Sequence, residues 1–197
     1  MRATTIVILF AMVAGQLWAG PKRHEPGALV LVLDRSASMK GTKLDALKDA
    51  AIAGVGALDP NDQVAIIAVD HEADVVVPLQ RAANRQEIAK KIARLEAGGG
   101  TNVLPGLRAA VDVLHHSKFK VKHVIFVSDG ETPSEGISEL MKEMRGADIT
   151  LSAVGVEGAD RNLLAMMADV GEGRLYLVGD TKALSKVVVK EIKTALP

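Results

Sequence analysis

Asp34, Arg35, Ser36, Ala37 and Ser38 stand directly after a run of aliphatic residues. A carboxylate and two hydroxyls this close together can turn inward on one point. Their oxygens make a hard environment that suits Mg²⁺, Mn²⁺ or Ca²⁺ rather than zinc. Two further segments offer donors of the same kind. Asp129 closes a second aliphatic run, in the sequence Ser-Asp-Gly-Glu, and Thr101 follows three glycines, Gly98, Gly99 and Gly100. Glycines allow a close backbone approach and unusual dihedrals, so the Thr101 hydroxyl could reach the same point from a separate loop.

Each of these residues also has a plainer reading. Ser36 and Ser38 could cap the following helix. The three glycines could merely end a helix, and since no Gly-Lys-Ser/Thr follows them they do not form a phosphate-binding loop. The joint presence of Asp34, Ser36, Ser38, Thr101 and Asp129 favours a metal site. Asp70 and His71 follow the second strand-like run and are candidate partner contacts on the same rim. His115 and His116 suit a solvated helix end, where cations are favoured. Met141, Met144, Met166 and Met167 suit helix cores, and Lys118, Lys120 and Lys122 suit a solvated loop entering a strand.

The segments that must position these groups alternate. Ala28–Asp34, Gln63–Asp70, Asp74–Leu79, Val121–Ser128, Ile149–Val156 and Arg174–Val178 read as strands. Most are near-continuous aliphatic runs, as expected of strands buried on both faces. Helical stripes fall between them: Leu44 to Leu58, Ile88 to Leu95, Leu104 to Leu114, Ile137 to Met144, Leu163 to Val170 and Leu184 to Ile192. The link before Asp74 is short and Pro78 suits an edge strand, so the second and third strands are expected to form an antiparallel hairpin. The alternation implies an α/β fold, a largely parallel sheet covered by helices on both faces.

The whole chain has 197 residues, 48% of them hydrophobic, which is enough for one well-buried domain. Acidic and basic residues balance at 24 each, so nothing steers the protein toward nucleic acid. Cysteine is absent, which removes disulfides, zinc–thiolate sites and thiol nucleophiles. Residues 1–19 read as a signal peptide: Arg2, the apolar run Ile6 to Ala14, and Ala19 at the cut. The apolar run is short for a spanning helix, which needs about 20 residues. The expectation is therefore export to the periplasm or exterior with no membrane span after cleavage, the alternative being an N-terminal membrane anchor. A short segment, 20–27, would precede the domain at 28–197.

Asp-x-Ser-x-Ser at 34–38, Thr101 after its glycine turn, and Asp129-Gly130 at a strand end together resemble the metal-ion-dependent adhesion site of von Willebrand factor A domains. The resemblance covers essentially all of the chain after residue 27. Ala37 departs from it where Gly is common, and Asp70-His71 where many members carry Phe-Ser. The resemblance implies a Rossmann-like three-layer α/β/α sandwich with a six-stranded sheet in the order 3-2-1-4-5-6 and one antiparallel edge strand. It also implies that Ser36, Ser38 and Thr101 touch the cation, Mg²⁺ by default, while Asp34 and Asp129 hold it largely through water. An open coordination position would then take an Asp or Glu from a partner protein. Two other functions compete. A metal-dependent hydrolase would resemble the haloacid dehalogenase phosphatases, but Ser36 stands where their second acidic residue belongs, so the general acid is missing. The third is a component of a membrane-bound assembly of such domains.

Overall fold

The computed structural model describes residues 24–130 and 132–197. The segment expected to be a signal peptide, 1–19, lies outside them. Six strands and six helices alternate: β1 (Ala28–Asp34), α1 (Thr42–Ala57), β2 (Gln63–Val69), β3 (Ala73–Arg81), α2 (Arg85–Ala93), α3 (Leu104–His115), β4 (Lys122–Ser128), α4 (Ile137–Gly146), β5 (Ile149–Val156), α5 (Arg161–Val170), β6 (Glu172–Val178) and α6 (Leu184–Ala195). They form one sheet in the order β3-β2-β1-β4-β5-β6. Only β2 and β3 pair antiparallel; the other four pairings are parallel.

Two apolar layers enclose the sheet. Leu29, Leu31 and Leu33 of β1 pack toward α1, α2 and α6. Val30 and Val32, on the opposite face, pack toward α3, α4 and α5. All seven residues of β1 are therefore buried, which is why its sequence is continuously aliphatic rather than alternating. The four methionines lie in the α4 and α5 packing, as expected. β3 runs longer than the expected Asp74–Leu79. Its ladder with β2 is irregular between Val64 and Ile66, and Pro78, which has no N–H to give, falls in the gap.

The chain leaves β1 toward β2 and β3, then returns through α2 and α3 to β4 on the other side. The loops after β1 and β4 therefore diverge in opposite directions, which opens a crevice at the carboxyl ends of these two strands. Asp34 and Asp129 stand at its two sides.

The opposite end of the sheet carries a buried polar cluster that pins α6. Glu191 is fully buried. It accepts from Ser152 Oγ at 2.7 Å, Tyr176 Oη at 2.6 Å and the Arg174 guanidinium at 3.1 Å, and His123 Nε2 stands 3.2 Å away. Burial alone would raise the Glu191 carboxyl. His123 and the Tyr176 and Ser152 hydroxyls outweigh it and hold the pKa at about 2. Burial and the adjacent Glu191 push Tyr176 up to about 12. A folded pKa below the ordinary value of 4.5 means that the Glu191 contribution is fully present above that pH and is lost as pH falls toward 2. Glu191→Gln should lower unfolding stability by about 1–3 kcal/mol at neutral pH, and the gap to wild type should close on acidification. Urea melts of both proteins at pH 7 and pH 3 check this; a gap independent of pH would contradict it.

Candidate metal centre

Asp34 ends β1 with its side chain inside the crevice and is 0% exposed. Oδ1 accepts the Ser36 backbone N–H at 2.8 Å, and Oδ2 accepts the Ser128 hydroxyl at 2.6 Å. Among the described residues no basic side chain pairs with it. Burial pushes its carboxyl above the usual range; hydrogen bonds from Ser128 and Ser36 oppose this, and the charge of Asp129 adds to it.

Ser36 and Ser38 do not cap α1. That helix begins after Gly41, without a side-chain cap, and Ala37–Met39 forms a single 3₁₀ turn that holds the serines over the crevice. Their hydroxyl oxygens lie 3.0 Å apart. Ser38 also donates to Asp129 Oδ1 at 2.8 Å. Thr101 arrives on the Gly98–Gly100 turn, which is fastened to the Asp34 loop by Gly98 N–H to Arg35 carbonyl at 2.9 Å and Ala37 N–H to Gly99 carbonyl at 3.3 Å. A methyl group built on Gly130 would lie 3.7 Å from Thr101 Oγ1 and 3.8 Å from Ser38 Oγ. Hydroxyls from two loops therefore close on the same small space beside Asp129.

All five expected ligands thus stand on one rim. Two carboxylates and three hydroxyls suit a hard divalent cation, and the fit is sharpened by the burial of Asp34 without a counter-charge. Among the described residues no group of three or more His, Cys, Asp or Glu is placed to hold a metal ion, so a cation here would depend on the hydroxyls as well as on the two carboxylates. No imidazole lies in hydrogen-bonding range of Ser36, Ser38 or Thr101 among the described residues, and the Ser38 hydroxyl points its proton at a carboxylate.

Two participants escaped the sequence reading. Ser128 orients Asp34, and its signal was a polar residue closing an aliphatic strand. Lys43 lies in the first turn of α1, and its Nζ is 2.5 Å from Asp129 Oδ2. A cation in a helix's first turn opposes the helix dipole, and that misplacement was the available signal.

Asp70 and His71 part company. Asp70 is 7% exposed. Its Oδ1 accepts the backbone N–H of His71 at 2.5 Å and of Glu72 at 3.1 Å, and its Oδ2 accepts Arg35 Nε at 3.1 Å. Burial alone would raise its carboxyl, but those N–H groups and the guanidinium outweigh it and hold it low. Asp70 is therefore spent inside the chain, bracing the loop that carries Asp34. The His71 side chain is 63% exposed on the rim.

Residues 28–190 match the von Willebrand factor type A domain family. The chain belongs to that family. An uncharacterized protein of Synechocystis is 39% identical over 110 residues, covering 55% of this chain and 26% of that protein. The chain spans less than a third of the length of its first curated relatives. A von Willebrand factor type A structure from Catenulispora acidiphila superposes with a TM-score of 0.80 at 24% identity, covering 88% of this chain and 43% of the other. Proximal thread matrix protein 1 from the mussel byssus, solved with zinc in its metal-ion-dependent adhesion site, gives 0.76 at 19% identity, covering 88% and 46%. Domains of this family are often protein-interaction modules.

In this von Willebrand factor A domain Gly99 is the residue that permits the close approach of the Thr101 turn. Its φ is +72°, and an added Cβ would sit 2.9 Å from Asp70 Cγ and from His71 Nδ1. Gly99→Ala should cost about 1–3 kcal/mol through the left-handed backbone and the clash. It should also displace Thr101 from Gly130. Chemical denaturation reads the first effect. A crystal structure of the variant with Thr101 unmoved would contradict the second.

Proposed function

We propose that this domain is a metal-dependent protein-binding module. One divalent cation, Mg²⁺ by default and Mn²⁺ or Ca²⁺ as alternatives, is held by Asp34, Ser36, Ser38, Thr101 and Asp129. The observation that carries the reading is the Asp34 carboxylate: fully buried, facing a second carboxylate, and without a basic partner among the described residues. A buried charge left in that state is costly, and a cation in the crevice relieves it. The hydroxyls add oxygens without adding charge, so the ion would keep part of its positive charge for an outside ligand. An Asp or Glu side chain of a partner protein fits that position best, because hard cations favour carboxylate oxygens. His71, exposed on the same rim, is the candidate contact beside it.

Export accompanies this reading. It rests on the sequence of residues 1–19 and predicts a mature N-terminus at Gly20. Among the described residues no helix is long and apolar enough to cross a membrane.

Mg²⁺ at about 100 times its dissociation constant should stabilise the wild-type domain by about 2.7 kcal/mol. For a domain of this size that is a rise in Tm of about 5–10 °C. Asp34→Ala should abolish the rise, and partner capture should fail both in this variant and with chelator. A partner retained equally with and without metal, by wild type and variant alike, would refute the grip; a Tm insensitive to Mg²⁺, Mn²⁺ and Ca²⁺ would refute the cation.

A further inference from the structure

Lys43 is the one basic side chain, among the described residues, that contacts either carboxylate of the crevice. The Asp129 side chain it reaches is fully buried, while the lysine is about a quarter exposed. Its ammonium also donates to the Glu157 carbonyl, in the loop after β5, at 3.0 Å. The lysine is thus clamped between two loops and directed inward, although the N-terminal turn of α1 disfavours a positive charge. Asp129 has its two oxygens divided: Oδ1 takes the Ser38 hydroxyl and Oδ2 takes the ammonium.

We infer that Lys43 is a built-in counter-cation that competes with the metal for Asp129, lowering the site's cation affinity and leaving the bound cation more electropositive toward a partner carboxylate. The inference rests on the proposed metal centre. With Lys43 in place the two carboxylates and the ammonium together carry one negative charge. A dication then leaves one positive charge on the face, and a partner Asp or Glu neutralises it. Without Lys43 the carboxylates alone balance the dication, so the metal sits more tightly and the partner carboxylate gains less. Charges a few ångströms apart in a partly buried crevice interact strongly enough for this exchange to be measurable. Lys43 hydrogen-bonds Asp129 and the Glu157 carbonyl and neither serine hydroxyl nor Asp34, so its role is to set the charge of the site and not to hold the ion.

The test is a Mn²⁺ titration of the domain, followed by the electron paramagnetic resonance of free Mn²⁺ at fixed pH and ionic strength. Lys43→Met should bind Mn²⁺ about ten-fold tighter than wild type, and Lys43→Arg, which keeps the charge, within about three-fold of wild type. Thermal melts supply the independent reading: without cation Lys43→Met should melt below wild type, because Asp129 loses its partner, and it should gain more from Mn²⁺. Lys43→Gln serves if the Met variant does not fold. Equal or weaker Mn²⁺ binding by the uncharged variants would overturn the role of Lys43 while leaving the metal centre standing. Mn²⁺ binding no better in wild type than in Asp34→Ala would remove the centre itself.

Discussion

A buried carboxylate at the end of an apolar strand is the constraint around which the rim of this domain is built. Asp34 closes a strand whose other six residues are all buried and aliphatic, and burial disfavours its charge. Its surroundings are arranged to tolerate that charge without cancelling it. The Ser36 N–H and the Ser128 hydroxyl fix its two oxygens in place, but neither brings a positive charge. The strand order supplies the rest: because β4 lies beside β1, the loops after them part, and Asp129 is brought to the same crevice. The third wall is the glycine turn, fastened by backbone bonds to the loop that follows Asp34.

Comparison with Glu191 separates a structural carboxylate from a ligand-ready one. Both are fully buried and both accept hydroxyl protons. Glu191 also has a guanidinium at 3.1 Å and an imidazole beside it, and its acidity is strengthened. Asp34 has no such cation among the described residues, and its acidity is weakened. The first group is satisfied by the chain and serves to fix α6 against the sheet. The second has both oxygens hydrogen-bonded but no basic side chain beside it among the described residues, and in the proposed centre a divalent cation would supply the positive charge. That asymmetry, found at opposite ends of one sheet, argues for function more directly than burial does.

Much of this was legible in the sequence because the relevant signals are local. Six aliphatic runs gave six strands, with bounds shifted by a few residues where the sequence lacked punctuation. β6 begins two residues before the expected Arg174, and β3 extends past Leu79 to Arg81. The five candidate ligands were visible as residue types in short motifs, but the strand order that brings them together came from the family resemblance, since parallel pairing leaves no local trace. What the sequence left unread shares a cause as well. Asp70, expected at the rim because it ends a strand, is held by Arg35 and by two N–H groups of its own turn, which no spacing rule encodes. Lys43, marked in the sequence only by its place in a helix's first turn, and Glu191 each acquire their meaning from a partner 86 or more residues away, or from three separate strands at once.

The charge of the crevice then follows from which residues are carboxylates and which are only hydroxyls. A donor set of many carboxylates would bury a dication's charge entirely and make a tight, inert structural site. In the proposed centre the oxygens of Ser36, Ser38 and Thr101 would fill coordination positions without neutralising anything, and Lys43, which donates to Asp129, would remove part of what that carboxylate contributes. Such a site would give up intrinsic affinity for the ion. In return the ion's affinity for an external carboxylate would be raised, because that carboxylate would complete both the coordination and the charge balance. Metal and partner would then be linked ligands, each tightening the other by the same factor, as reciprocity of coupled binding requires. A domain built this way needs no moving part to make partner recognition depend on metal; the shortfall of negative charge in a buried crevice suffices.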